Sequence, residues 1–159
     1  MVKKIFLEEF IDRESLKRFL SQVHKLSGVS IIPFNERGEA IIGDPSSILE
    51  PENAPDFEKL LKRDDFQRSD GTRLQVIRLK YRGNIYGVVL IGPYLSVRDK
   101  RSPGEKSFPV LNSEQIRATA ELVEQFFQEQ IEVAEERLAL RKKEKILSVL
   151  EEASNIMNS

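Results

Sequence analysis

Between Ser113 and Met157 the chain contains neither glycine nor proline. Those are the two residues that break a helix most sharply, costing about 1 and about 3 kcal/mol against alanine. Asn112 stands before the run as an N-cap, and Gln115 follows three residues later, as in a capping box. The segment therefore predicts one helix of about 40 residues, roughly 60 Å long. A chain of 159 residues needs no helix of that length to close a core. Part of it must serve another purpose.

The helix changes character along its length. From 116 to 127 it is apolar enough to pack on a sheet. From 128 to 145 most positions are charged, acidic first and then basic. Thr119, Phe126, Val133, Leu140, Leu147 and Ser154 recur every seven residues, and Val123 and Leu150 add to the seam. A narrow stripe at this spacing is buried by pairing with another helix. The expected partner is the same helix of a second copy in a parallel coiled coil, through Phe126, Val133, Leu140, Leu147 and Leu150. Arg137 and Glu144 interrupt the seam, which predicts a weak, adjustable coil.

Ahead of the rod the pattern is mixed. Asp12 caps a helix over 13–26, whose apolar face is Leu16, Phe19, Leu20, Val23 and Leu26, with Gly28 as its stop. A β-rich run over 29–34 turns at Asn35, Glu36, Arg37 and Gly38 and returns over 39–43 as a hairpin. Pro33 places its strand at an exposed edge or ends it early. Residues 44–55 read as loop, 56–63 as a short helix and 64–71 as polar loop. A strand over 72–81 and another over 85–92, stopping at Pro93, make a second hairpin. Its second member alternates Ile85, Val89 and Ile91 with Tyr86, Val88 and Leu90, so both faces must be covered. Helices cover one face, and the segment around 44–70 the other. Residues 95–110 form a charged loop rich in proline and glycine.

Several function classes are excluded. With no cysteine there is no disulfide, thiolate metal site or cysteine nucleophile, and one histidine, His24, makes no multi-histidine site. No cofactor or metal is expected. A net charge of −1 gives the whole chain no pull toward nucleic acid or anionic membrane. No apolar run of about 20 residues exists to span a bilayer, and the N-terminus lacks a signal peptide, so a cytoplasmic location is expected. No P-loop, GxGxxG, nucleophile elbow or HExxH is present, and an enzyme is not expected.

Residues 85–94 (Ile85, Tyr86, Gly87, Val88, Val89, Leu90, Ile91, Gly92, Pro93, Tyr94), followed by a loop and then Pro109 to Ile116, resemble the end of a PocR-type sensory domain. The opening helix and hairpin over 8–43, with Gly38 in the turn, resemble that family's start. PocR-type domains belong with the GAF/PAS-like sensors. The resemblance implies an α+β fold, an antiparallel sheet of about five strands flanked by helices, over residues 1–127. Residues 128–159 would then be a signalling helix. Lys145 to Ser159 resembles the first helix of a GAF domain, implying a downstream output domain in a longer chain. Many PocR-type domains carry cysteines and histidines in the part matching 44–70; this chain has none there, so no metal or redox role carries over.

These readings converge on a non-catalytic sensory domain of a bacterial signalling protein, binding a small ligand and passing its state through a dimeric helix. A ligand-free dimerisation or docking module is the alternative. Candidate ligand residues are Phe34, Tyr81, Tyr86 and Tyr94, which would line an apolar cavity with hydroxyls aimed inward, and Arg73 and Arg78, which would pair with a carboxylate or phosphate. Each also has an ordinary reading, as core aromatic or solvent-facing strand charge. Asp64, Asp65 and Asp70 lack metal-loop spacing. The basic loop residues Arg98, Lys100, Arg101 and Lys106 are diluted by Asp99 and Glu105.

Overall fold

The structure is a computed structural model, and it describes residues 6–45, 62–68, 70–97 and 108–158. It is an α+β fold whose centre is the β3–β4 hairpin. Chain order is α1 (Leu7–Phe10), α2 (Arg13–Ser27), β1 (Ser30–Asn35), β2 (Asp65–Gln67), β3 (Arg73–Tyr81), β4 (Asn84–Ser96), β5 (Val110–Leu111) and α3 (Ser113–Met157). The sheet runs β1-β4-β3-β2, all antiparallel, and the two-residue β5 joins the end of β4 in parallel.

The helix termini follow the chemistry of their caps. Asp12 accepts from the Glu14 N–H at 3.3 Å, and Gly28 closes α2 in the left-handed region with φ of 78°. At α3 the capping box is complete: the Gln115 N–H donates to the Asn112 side chain at 2.8 Å, and the Asn112 N–H to the Gln115 side chain at 2.9 Å. Each bond satisfies a backbone donor that the first turn would otherwise leave without a partner.

Both faces of the sheet are covered by apolar clusters. On the helix side Ile31, Ile77, Leu79, Val89 and Ile91 meet Leu16 and Val23 of α2 and Val123, Phe127 and Ile131 of α3. On the far side Ile32, Phe34, Leu74, Val76, Val88 and Leu90 form a second cluster, joined by Ala40 and Phe66. The expected short helix over 56–63 falls mostly outside the described residues, as do most of the basic loop and most of the 44–55 segment.

Four expectations are corrected. First, the returning strand over 39–43 is reduced to one bridge, Phe34 to Ala40. Pro33 accepts from the Ile41 N–H at 2.9 Å but has no N–H to return, so the ladder stops there. Second, the polar stretch 64–71 contains β2, whose one inward side chain is Phe66. Third, β4 does not stop at Pro93 but passes through it, with a cis Gly92–Pro93 peptide, to Ser96. The register shifts there, leaving Pro93 without a ladder partner, so its missing donor costs nothing. Fourth, a second shift lies where Leu79 pairs with Gly87 but Lys80 pairs with Ile85. The extra residue, Tyr86, turns to the helix side with Val89 and Ile91, away from Val88 and Leu90.

Candidate functional site

The rod is held to the globule along one face. Ile116 and Ala120 are partly buried, and Val123, Phe127 and Ile131 fully so. The spacing of 3 or 4 is that of one helix face. Beyond Ile131 three side chains keep partial cover, Ala134, Glu135 and Leu138; residues 139–158 are all exposed. About 30 Å of helix thus stands clear of the domain.

Three ties fix the angle at which it leaves. The Phe19 and Phe126 rings stack at 4.1 Å with 6° between planes. The Gln128 side-chain amide donates to the Lys80 carbonyl at 3.0 Å. The Tyr86 hydroxyl donates to the Glu135 carboxylate, 49 residues away in sequence. Burial, reinforced by the bond to Glu135, raises the Tyr86 phenol above its ordinary value.

The folded domain therefore favours protonated Tyr86 more strongly than the unfolded chain does. That stabilisation is complete below pH 10 and is lost as pH rises above it. Tyr86→Phe is expected to lose about 1 kcal/mol at neutral pH through the missing hydrogen bond. The deficit should shrink and then reverse as pH climbs past 10, because the variant has no phenol to keep protonated. Denaturant titrations of both proteins from pH 7 to 11 check this. Parallel pH profiles would show that Tyr86 carries no such linkage.

The six candidate ligand residues do not converge. Phe34 is in the far-side cluster and Tyr86 and Tyr94 in the helix-side cluster, with Tyr81 partly buried against the latter. Five residues apart on β3, Arg73 and Arg78 point to opposite faces. Arg73 lies 3.8 Å from Asp65, whereas Arg78 reaches Asp64 at 2.5 Å and the Arg63 carbonyl at 3.1 Å. Asp70 accepts from the Thr72 N–H and hydroxyl. The three aspartates thus serve local bonds, and among the described residues no group of three or more His, Cys, Asp or Glu could hold a metal ion.

Open grooves lie elsewhere among the described residues. One, of about 340 Å³, runs between α2 and β1, with Lys17, Ser21, His24 and Asp44 among its lining side chains. Another, of about 300 Å³, lies between the end of α2 and the start of α3 and is walled by Val23, Leu26, Leu111, Ala118, Thr119 and Leu122. Leu26, expected in the core face of α2, is 84% exposed at its rim.

Of the five dimerisation candidates, Phe126 is already engaged by Phe19. Val133, Leu140, Leu147 and Leu150 are 44–59% exposed. Sequence reasoning missed Glu135 and Gln128, the polar ties of the rod, because nothing local distinguishes them from other polar helix residues.

No family model, curated protein or solved structure matches the chain. No helix among the described residues is long and apolar enough to cross a membrane.

Proposed function

We propose that the chain is a non-catalytic sensory or regulatory domain of a bacterial, cytoplasmic signalling protein, GAF/PAS-like in kind, that works as a homodimer joined through α3. The observation that carries this reading is the free half of the rod. Leu140, Ile146, Leu147, Val149, Leu150 and Met157 lie on a helix with no globule beside it, each more than half exposed. Apolar area of that kind gains roughly 25 cal/mol per Å² when covered, and a second rod is the simplest cover.

State would pass through the three ties. Lys80 and Tyr86 flank the turn between β3 and β4, and Gln128 and Glu135 sit where the rod leaves. A small ligand that favours one arrangement of that hairpin shifts the rod's angle only as far as its affinities for the two arrangements differ. The groove along α2 and β1, with a cation, an anion and an imidazole on its walls, is the seat such a ligand would take. The rod would hand the change to an output domain further along the full-length protein.

The second reading is a ligand-free dimerisation or docking module, and the scatter of the six candidate residues over two faces favours it. Native mass spectrometry of the purified chain tests both. Sensing predicts a dimer that retains a small molecule or takes one up from a metabolite mixture. A dimer that never carries one supports the second reading, and a monomer at micromolar concentration overturns the homodimer.

A further inference from the structure

We infer that two copies pair their α3 rods antiparallel, so that the stretch Ser154–Met157 of each lies along the α2–α3 groove of the other. This rests on the proposal that α3 is the dimerisation element, and adds its direction and a docking site.

The exposed apolar stripe is longer than the free half of the rod. Leu122, Val133, Leu140, Leu147, Leu150 and Met157 are 46%, 44%, 57%, 59%, 59% and 84% exposed. Their spacing follows alternate steps of three and four, the pattern of a pairing seam. It begins at Leu122, in the wall of the groove beside exposed Leu26, and ends at the tip. The positions that complete the same steps are Phe126, which Phe19 covers, Glu129, Glu136, Lys143 and Ser154.

Charge sets the direction. From 121 to 136 the rod carries Glu121, Glu124, Glu129, Glu132, Glu135 and Glu136 and no cation. From 137 to 145 it carries Arg137, Arg141, Lys142, Lys143 and Lys145 against one acid, Glu144. In-register parallel rods would face Glu129, Glu136 and Lys143 with their own copies at the seam, where like charges repel. Antiparallel rods crossing near Leu138 place Glu129, Glu132, Glu135 and Glu136 alongside residues 140–147 of the second copy, where Arg141, Lys142, Lys143 and Lys145 outnumber Glu144. Glu135 then comes level with Arg141, and Glu136 lies within a turn of Arg141 and Lys143.

The lengths agree with the same crossing. Leu138 is the last partly buried residue of the rod. From there to Met157 and from there back to Thr119 are equal distances, about 28 Å each. The tip of one rod therefore arrives at Thr119 and Leu122 of the other, in the apolar groove of about 300 Å³.

Spin labels test the direction, and the chain's lack of native cysteine makes each label unique. Ala139→Cys and Asn155→Cys are labelled separately in the full chain, and the distance between copies is read by dipolar spectroscopy. Antiparallel pairing predicts a short distance at 139, near the 8–10 Å between packed helix axes plus the label arms, and about 50 Å at 155. Short distances at both sites overturn the antiparallel arrangement while leaving the pairing of rods intact. No distance between copies at either site overturns the pairing itself.

Discussion

Gly87→Ala is expected to leave the protein unable to fold. Gly87 lies in β4 between Asn35 of β1 and Leu79 of β3. A Cβ added there would overlap the Phe34 carbonyl oxygen and stand 3.2 Å from its carbonyl carbon. Carbon and oxygen approach no closer than about 3.3 Å in ordinary sheet contacts. No side-chain rotation relieves the clash, because the obstacle is backbone. β1 would have to move off β4 by about an ångström, against a strand spacing of about 4.8 Å, and the ladder from Ser30 to Asn35 would break. A cost of about 4 kcal/mol or more follows, close to the whole stability of a small domain. Gly83→Ala is the control: no atom lies within 4 Å of its added Cβ, and the left-handed φ of 81° alone should cost about 1 kcal/mol. Thermal melts compare the two. Gly87→Ala unfolding within a few degrees of the parent would mean that β1 does not sit against β4 as described.

Leu147→Lys combined with Leu150→Lys should split the dimer without touching the fold. Both side chains are 59% exposed in the single chain and lie beyond the last contact of the rod with its domain. Surface changes of this kind alter folding stability by about 0.5 kcal/mol or less. In the dimer the two leucines would be covered, at roughly 1.5 kcal/mol or more each. Both copies carry the changes, so four covered leucines are lost per dimer and pairing weakens about ten-thousandfold, since each 1.4 kcal/mol is tenfold. The dissociation constant should therefore rise by that factor while the thermal melt of the separated monomer stays unchanged. A variant with the parent's dissociation constant would place the interface on the globule.

The elements with strong local chemistry were legible in the sequence. The capping box at Asn112 and the absence of breakers to Met157 defined α3, and Asp12 and Gly28 bracketed α2. The β3–β4 hairpin was visible from Arg82, Gly83 and Asn84 between apolar runs. Other features depended on distant partners. Alternation put Tyr86 with Val88, because it counts residues and cannot see the register shift opposite Lys80. β2 has one apolar side chain, Phe66, and becomes a strand only because β3 offers its edge. Seven-residue spacing gave Phe126 to the seam, yet the same residue borders the face that packs on the domain, and Phe19 takes it. The aromatic cavity failed for a related reason: Phe34 pairs with Val88 on the far side, and the shift in β4 sends Tyr86 to the helix side. The polar tie from Tyr86 to Glu135 spans 49 residues and leaves no local trace.

Sedimentation velocity on the parent chain and the double-lysine variant, over a dilution series in the same buffer, tests most directly whether the rod pairs. The parent should sediment as an elongated dimer that dissociates on dilution, and the variant as a monomer at concentrations where the parent is paired. A parent that stays monomeric throughout, or a variant that sediments as the same dimer, would contradict the account.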